Sequence, residues 1–315
     1  MNRSTAVAPP PTSLAHREPS SGWVEDLARA TSNWMGRRLR VETLLAGGDD
    51  AEVWSACSSG SIEPERFVIH VSAPWRDPGE VSWTHAVASH AATLVSEVVA
   101  PISMGGHTFF IWNGQLVAVF PFIDGAPADR QDPSQVAEAG RLLARIHRAL
   151  LASHLAPAPV ILGPSVVDDL LAEAELDAWW SRCLPRVRHG ICHGDYYRRN
   201  VMVSDGRISG VIDWNEAHVG PLIREVAFAA WEFAHGDAME LDRDRFALFI
   251  DAYRSEASHL PDWEFDLVHG AARIGLRDNI RYAVRCGASM EHDYQLRQLD
   301  ALERLRCDLP DGPTA

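Results

Sequence analysis

Cysteine is scarce. The 315 residues contain Cys57, Cys183, Cys192, Cys286 and Cys307, an odd number with no C-x-x-C pair. That excludes a disulfide framework as the organiser of the fold and makes a reducing, cytoplasmic compartment the expectation. Basic residues are outnumbered, with 29 Lys and Arg against 43 Asp and Glu, a formal charge of −14. A surface of that sign repels phosphate backbones, so nucleic acid is not an expected partner, whereas a cationic small molecule is attracted. No run approaches the ~18 consecutive apolar residues of a membrane span, so no membrane partner is expected either. Residues 1–21 are rich in Pro, Ser and Ala without an apolar core behind Arg3, and read as a flexible tail rather than a secretory signal. No internal repeat breaks the chain into copies.

What the sequence has is enough apolar residue, 46 %, for a large core. Its patterning changes character near residue 122. Before that point short β-branched runs dominate. Two glycines between apolar flanks at 43–56 signal a hairpin, Arg66–Ser72 reads as a strand, and Phe109–Phe120 reads as two strands around Asn113-Gly114, the strongest short hairpin signal. Helical spacing is expected over 23–40 and again over 81–95. Pro121-Phe-Ile-Asp-Gly-Ala-Pro127 then punctuates the chain, and a boundary placed there gives an N-terminal lobe, 22–122, and a C-terminal lobe, 123–315. The second lobe opens on Asp132-Pro133-Ser134, a helix start. An apolar stripe of Val136, Ala139, Leu142, Leu143, Ile146 and Leu150 follows at the 3.6-residue period. Helix is also expected over 166–184 and through most of 222–306.

Between these helices lies a polar interruption, His193-Gly-Asp-Tyr-Tyr-Arg-Arg-Asn200, with apolar sequence on both sides. Val201–Val203 and Ser209–Ile212 bracket the turn Ser204-Asp205-Gly206 and are expected to pair as a short hairpin. Its two ends carry Asn200 and Asp213, which the pairing brings together beside Asp195. An Asn and an Asp side by side offer hard oxygen ligands suited to Mg²⁺, and a second Asp can accept a hydroxyl proton. That is the equipment of phosphoryl transfer. Cys183, His189, Cys192 and His193 also invite a zinc reading, but the spacing lacks the paired-cysteine pattern of a zinc site.

His193-Gly-Asp-x-x-x-x-Asn200 followed by Val211-Ile-Asp-Trp214 resembles the aminoglycoside phosphotransferase and choline kinase-like family, whose members resemble protein kinases. Further likenesses span roughly 42–230: Leu44-Leu-Ala-Gly-Gly-Asp-Asp-Ala-Glu-Val-Trp54, Ile123-Asp-Gly125, Leu142-Leu-Ala-Arg-Ile-His147, Gly220-Pro221 and Glu225-Val-Ala227. The resemblance implies an α+β, bilobal, protein-kinase-like fold with a strand-rich first lobe and a mainly helical second lobe. It implies Asp195 as catalytic base, Asn200 and Asp213 as Mg²⁺ ligands, and a bracing role for His193. Gly47 and Gly48 would let the backbone approach the phosphates of ATP, with GTP as the alternative. Pro121 has no N–H, which leaves Phe122 or Ile123 to meet the purine. The acceptor would lie in the helical lobe, making Glu216, Glu232 and Asp278 candidates for an amine. An antibiotic inactivated by O-phosphorylation is the leading acceptor; an amino alcohol, homoserine or a sugar is the alternative, and a nucleotide-binding pseudokinase module is the alternative of another class.

Two departures stand out. The strand position that carries Lys or Arg in the family holds His70, and the helix that would supply its Glu partner has none between Val81 and Leu94, where His85 and His90 are the polar candidates and Glu80 lies just before. Arg76 or His85 is the expected substitute at the phosphates. Arg198 and Arg199 also replace the usual Pro and small residue, either as solvated loop charges or as guanidinium contacts to the transferring phosphoryl group.

Overall fold

The computed structural model describes residues 21–45, 51–59, 64–156, 171–285 and 292–305. Gly47, Gly48, Cys286, Cys307, most of the expected tail and the beginning of the expected 166–184 helix lie outside the described residues.

Helix α1 (Ser21–Met35) leads into an antiparallel sheet of β1 (Leu39–Leu44), β2 (Ala51–Ser58), β3 (Arg66–Ser72), β4 (Phe110–Trp112) and β5 (Gln115–Pro121), in the spatial order β1-β2-β3-β5-β4. The β4–β5 turn holds Asn113 at φ 50° and Gly114 at φ 78°, the two positive angles that a two-residue hairpin matched to strand twist requires. Alternation along β3 buries Phe67, Ile69 and Val71 against Trp54, Val117, Val119 and Leu27 of α1, and turns His70 to the other face.

Helix α2 (Pro78–Ala92) starts where Asp77 accepts the N–H groups of Gly79 and Glu80. It precedes the boundary expected at 122/123, yet its Trp83, Val87, Ala88 and Ala91 pack into the core of the helical lobe rather than that of the sheet. The segment that follows is tied down in the same way, with Val99 N–H donating to Val211 O at 3.0 Å. The two lobes therefore share α2.

After the two-residue strand β6 (Ala126–Pro127), the helical lobe runs through α3 (Pro133–Leu151), α4 (Ala174–Cys183), β7 (His189–Cys192), β8 (Val201–Ser204), β9 (Arg207–Val211), β10 (His218–Pro221), α5 (Leu222–Ala234), α6 (Arg243–Glu256), α7 (Val268–Arg285) and α8 (Asp293–Arg304). Asp132 caps α3 through Ser134 N–H, as its sequence signals. The α3 stripe is fully buried; each such Leu or Ile contributes roughly 1.5–3 kcal/mol. Gly140 lets α3 and α6 approach, since a Cβ there would stand 2.5 Å from Phe249 O. Helix α4 begins at Ala174, not 166. The antiparallel pairing of β7 with β10, His218 opposite Cys192, is absent from the sequence reading: four-residue strands joined across 25 residues carry no local turn signal.

Candidate active site

The polar interruption forms a loop between β7 and β8, with a single 3₁₀ turn at Arg198–Asn200. Strands β8 and β9 pair as expected, Val201 opposite Val211, around Asp205 and Gly206 at φ 52° and 73°. The Ile212 N–H donates to Asn200 O at 2.9 Å, which sets Asp213 next to Asn200 across the hairpin end. Asn200 is buried, and its Nδ2 donates both to Asp195 O (2.9 Å) and to Asp195 Oδ2 (2.8 Å). That use of the amide nitrogen leaves Asn200 Oδ1 for a different partner. Asp213 is exposed, in the left-handed region at φ 61°. An amide oxygen and a solvent-facing carboxylate side by side fit the few hard oxygen donors that Mg²⁺ takes from protein.

Burial pushes the Asp195 carboxyl up to about 7, assisted by the neighbouring charges of Asp213, Glu232 and Glu216 and opposed by the Asn200 hydrogen bond. A carboxylate poised near neutrality is suited to take a proton from a hydroxyl. Its neighbours in the loop are structural. Tyr196 is buried and donates its hydroxyl to Ala139 O at 2.9 Å. His193 accepts Asp195 N–H at Nδ1 (3.3 Å), so its Nε2–H donates to Ile212 O (3.1 Å). Its ring lies 4.5 Å from that of Trp214, and burial lowers its pKa, keeping it neutral. This imidazole ties the Asp195 loop to the Asp213 loop.

Glu225, at the start of α5, holds the loop from below. It accepts His193 N–H (3.1 Å), Gly194 N–H (2.6 Å) and the His147 ring (2.6 Å). Burial opposes its charge, but the His147 hydrogen bond, the electrostatic pull of the His147 and His193 rings, and the Gly194 N–H outweigh it and bring its pKa down to about 2. Gly194 has φ 89°, and a Cβ there would stand 1.9 Å from Glu216 O. Gly194→Ala is therefore expected to displace the base loop and lower turnover at least about 100-fold, as misplacement by an ångström does; kinetics on a variant that still melts cooperatively checks it.

On the N-terminal side, His70 Nε2 accepts Asn215 Nδ2 at 3.3 Å, and burial lowers its pKa, as does Arg76, against the pull of Asp213. His85 on α2 takes the place expected of a Glu. Its Nδ1 lies 2.9 Å from Thr108 Oγ1, and burial, then His70, brings it down to about 4. Both rings flank Phe120, at 6.4 and 5.8 Å between centroids. Two neutral imidazoles around an aromatic ring thus replace an ion pair. Arg76 supplies the nearby cation and bridges the lobes through Glu216 at 2.7 Å.

Several expected residues fall differently. Phe122 N–H donates to Arg66 O at 3.2 Å, and its ring lies beneath the Arg66 guanidinium, 3.5 Å away. It is therefore spent on the sheet, which corrects its assignment as purine donor and leaves Ile123. Asp278 is corrected as well: Arg224 holds its Oδ2 at 2.7 Å and Arg281 lies 3.6 Å from its Oδ1, so two guanidiniums already answer its charge. Glu216 and Glu232 do act on Asp195, although Glu216 pairs with Arg76 and Glu232 lies 3.4 Å from His235. Arg199 is exposed and its charge reaches Tyr197 and Tyr294. Arg198 is partly exposed, and its carbonyl accepts Ala128 N–H. Cys192 is buried, with burial pushing its thiol well up, which describes a packed side chain rather than a metal thiolate. Among the described residues no group of three His, Cys, Asp or Glu could hold a metal ion.

Tyr294 on α8 is absent from the sequence reading, yet it feels Glu232, Arg199 and Asp195, after burial, in a hydroxyl pKa pushed up. Some hundred residues separate it from the loop, and no motif marks it. Asn215 follows Val-Ile-Asp-Trp214 in the chain, and only the packed lobes reveal that it reaches His70.

A strand-rich lobe over a helical lobe, with the Asp195–Asn200 loop running into the Asp213 hairpin, defines a kinase-like phosphotransferase. The chain belongs to the phosphotransferase enzyme family, APH, whose profile matches residues 62–259. It is 25 % identical over 241 residues to the "serine/threonine protein kinase RdoA" of Salmonella typhimurium, covering 69 % of this chain and 67 % of that one. In structure it is similar to a thermostable mutant of aminoglycoside phosphotransferase APH(4)-Ia solved with AMP-PNP and hygromycin B (TM-score 0.55, 16 % identity, 89 % and 98 % of the chains covered). It is also similar to an ethanolamine kinase of Plasmodium vivax (TM-score 0.56, 11 % identity, 86 % and 82 % covered). No described helix is long and apolar enough to cross a membrane.

Proposed function

We propose that this phosphotransferase moves the γ-phosphoryl group of ATP to a hydroxyl of a small, cationic molecule. The observation that carries the reading is Asp195, raised to about 7 and hydrogen-bonded to an Asn200 that adjoins Asp213. Asp195 takes the acceptor's hydroxyl proton as its oxygen attacks phosphorus and the bond to the nucleoside diphosphate breaks. Asn200 orients that carboxylate through Nδ2 and, with Asp213, would hold Mg²⁺, which supplies charge neutralisation on the phosphates when bound. Ile123 is the hinge group for the purine. Glu216 and Glu232 give the acceptor side a negative field, which favours an amine-bearing acceptor such as an antibiotic of the kind that APH(4)-Ia binds. The name of the Salmonella relative favours a second reading, a serine or threonine hydroxyl of a protein.

The direct test is expression in a sensitive bacterium, challenge with antibiotic classes, and a search for a mass gain of about 80 Da, one phosphoryl group, on any protected drug. Protection without that gain, or no protection against any class, removes the antibiotic reading. His70 occupies the strand position where the family carries its phosphate-binding Lys or Arg, so His70→Ala is expected to raise the ATP KM about tenfold, roughly 1.4 kcal/mol, with a smaller change in turnover at saturation. An unchanged KM takes His70 out of the phosphate site.

A further inference from the structure

A triphosphate needs a cation, and the strand position that would supply one holds His70, which burial keeps neutral, as it does His85. Arg76 stands in the turn between β3 and α2, where its N–H donates to Ala73 O at 3.1 Å. A guanidinium keeps its charge at any physiological pH, and its fork of N–H groups matches phosphate oxygens. The charges of Arg76 and Asp213 both reach the His70 ring, so the guanidinium lies beside the place that a strand cation would occupy. Its side chain is only 13 % exposed, unlike a solvated surface charge.

Arg76 Nη2 donates across the lobes to Glu216 Oε1 at 2.7 Å. The two partners are unequal. The Glu216 side chain is 46 % exposed, and a pair with one half-exposed member shifts an equilibrium only a few-fold. The Glu216 backbone is held separately: its carbonyl oxygen accepts His218 Nδ1–H at 2.9 Å and lies against Gly194. The carboxylate can therefore let go of Arg76 without moving the Asp195 loop.

Phosphate oxygens carry more charge than one carboxylate and offer Arg76 two parallel hydrogen bonds. Holding both anions on one guanidinium would set them against each other, and the one that can return to water at little cost is Glu216. We infer that Arg76 is the phosphate-binding cation of the nucleotide site and that Glu216 is its internal competitor, displaced from the guanidinium when the phosphates of the nucleotide arrive. Once displaced, Glu216 is left to the acceptor side, where its charge already reaches Asp195. The inference rests on the proposed function in one respect, that the chain binds a nucleoside triphosphate. It does not depend on which acceptor is phosphorylated, or on turnover.

The test is a double-mutant cycle on the affinity for AMP-PNP with Mg²⁺, measured by titration calorimetry on the full chain at fixed ionic strength: wild type, Arg76→Gln, Glu216→Gln and the double variant. Arg76→Gln should weaken binding about tenfold, and Arg76→Lys, which keeps the charge without the fork, should weaken it less. Glu216→Gln should tighten binding. Loss of a carboxylate near the phosphates does so through its field alone, equally with and without Arg76. Competition adds a second part that exists only where Arg76 does, so the gain should be about threefold larger in wild type than in Arg76→Gln. Adenosine, which has no phosphates, should bind all four proteins alike. The inference is overturned by equal gains in the two backgrounds, or by a smaller gain in wild type, which would make Glu216 a positioning partner of Arg76. Unchanged affinity in Arg76→Gln, or an adenosine affinity that follows the AMP-PNP pattern, overturns it too. Failure of the nucleotide reading looks different: none of the four proteins would bind AMP-PNP, and the inference would fall with it.

Discussion

Replacing Asp195 by Asn is expected to lower turnover by about a thousandfold and, in the same protein, to raise the melting temperature. On the proposed mechanism the first effect is the loss of a general base, a contribution of roughly 10²–10⁴ in rate. Nucleotide affinity should hardly change, because the base meets the acceptor rather than the phosphates. The second effect follows from the direction of its pKa. The folded protein raises Asp195 from 3.8 to about 7, chiefly by burial and then by Asp213. The folded state therefore holds a proton that the unfolded chain releases between those values, and stability falls as pH rises through that window. At pH 8 the whole cost is present and Asn removes it, a gain of about 1–3 kcal/mol; at pH 4 the gain should vanish. Thermal melts at the two pH values, without nucleotide or divalent ion, check this. Wild-type turnover should rise with pH to an inflection near 7, moved lower when a divalent cation beside Asp213 favours the ionised base. A thousandfold loss of turnover with no gain in stability at pH 8 would mean that Asp195 is not held at a cost.

Glu225→Ala is expected to cost the most stability, about 3–5 kcal/mol, since it leaves His193 N–H, Gly194 N–H and the His147 ring without an acceptor, each an orphan worth roughly 1–3 kcal/mol and not fully additive. Here the sign with pH is opposite. Glu225 is depressed to about 2 from 4.5, so its contribution is complete above 4.5 and is lost as pH falls toward 2. Acid unfolding of the wild type should therefore steepen between pH 4.5 and 2, and Glu225→Gln should lose that component. Urea unfolding across this range measures both. A Glu225→Ala protein as stable as wild type would remove the carboxylate as the anchor of the catalytic loop.

These two residues mark what local pattern could and could not supply. The meeting of Asn200 and Asp213 was legible because a short hairpin with a Ser-Asp-Gly turn determines where its own ends lie, whereas the roles of Asp195, Asn200 and Asp213 came from the family resemblance. Glu225 stands in the sequence only within the Glu225-Val-Ala227 likeness, and nothing there marks it as the acceptor for two N–H groups some thirty positions earlier. The His70–Asn215 contact, the Arg76–Glu216 bridge and the approach of Tyr294 all join segments more than 70 residues apart, and no periodicity encodes them. Phe122 was misassigned for a related reason: whether a hinge N–H is free depends on the register of β3 against β5, which sequence near Pro121 does not specify. Helix α2 crosses the lobe boundary because Trp83 and Val87 face a core built from residues after 130.

The most direct measurement of the central claim is transfer of label from γ-labelled ATP with Mg²⁺, offered hygromycin B, ethanolamine, a wider panel of hydroxylated amines and a mixture of bacterial proteins side by side. The account predicts label on a hydroxyl of a small cationic molecule, and none with Asp195→Asn. Label confined to serine or threonine of the proteins, nucleotide binding without transfer to anything offered, or undiminished transfer by Asp195→Asn would contradict it.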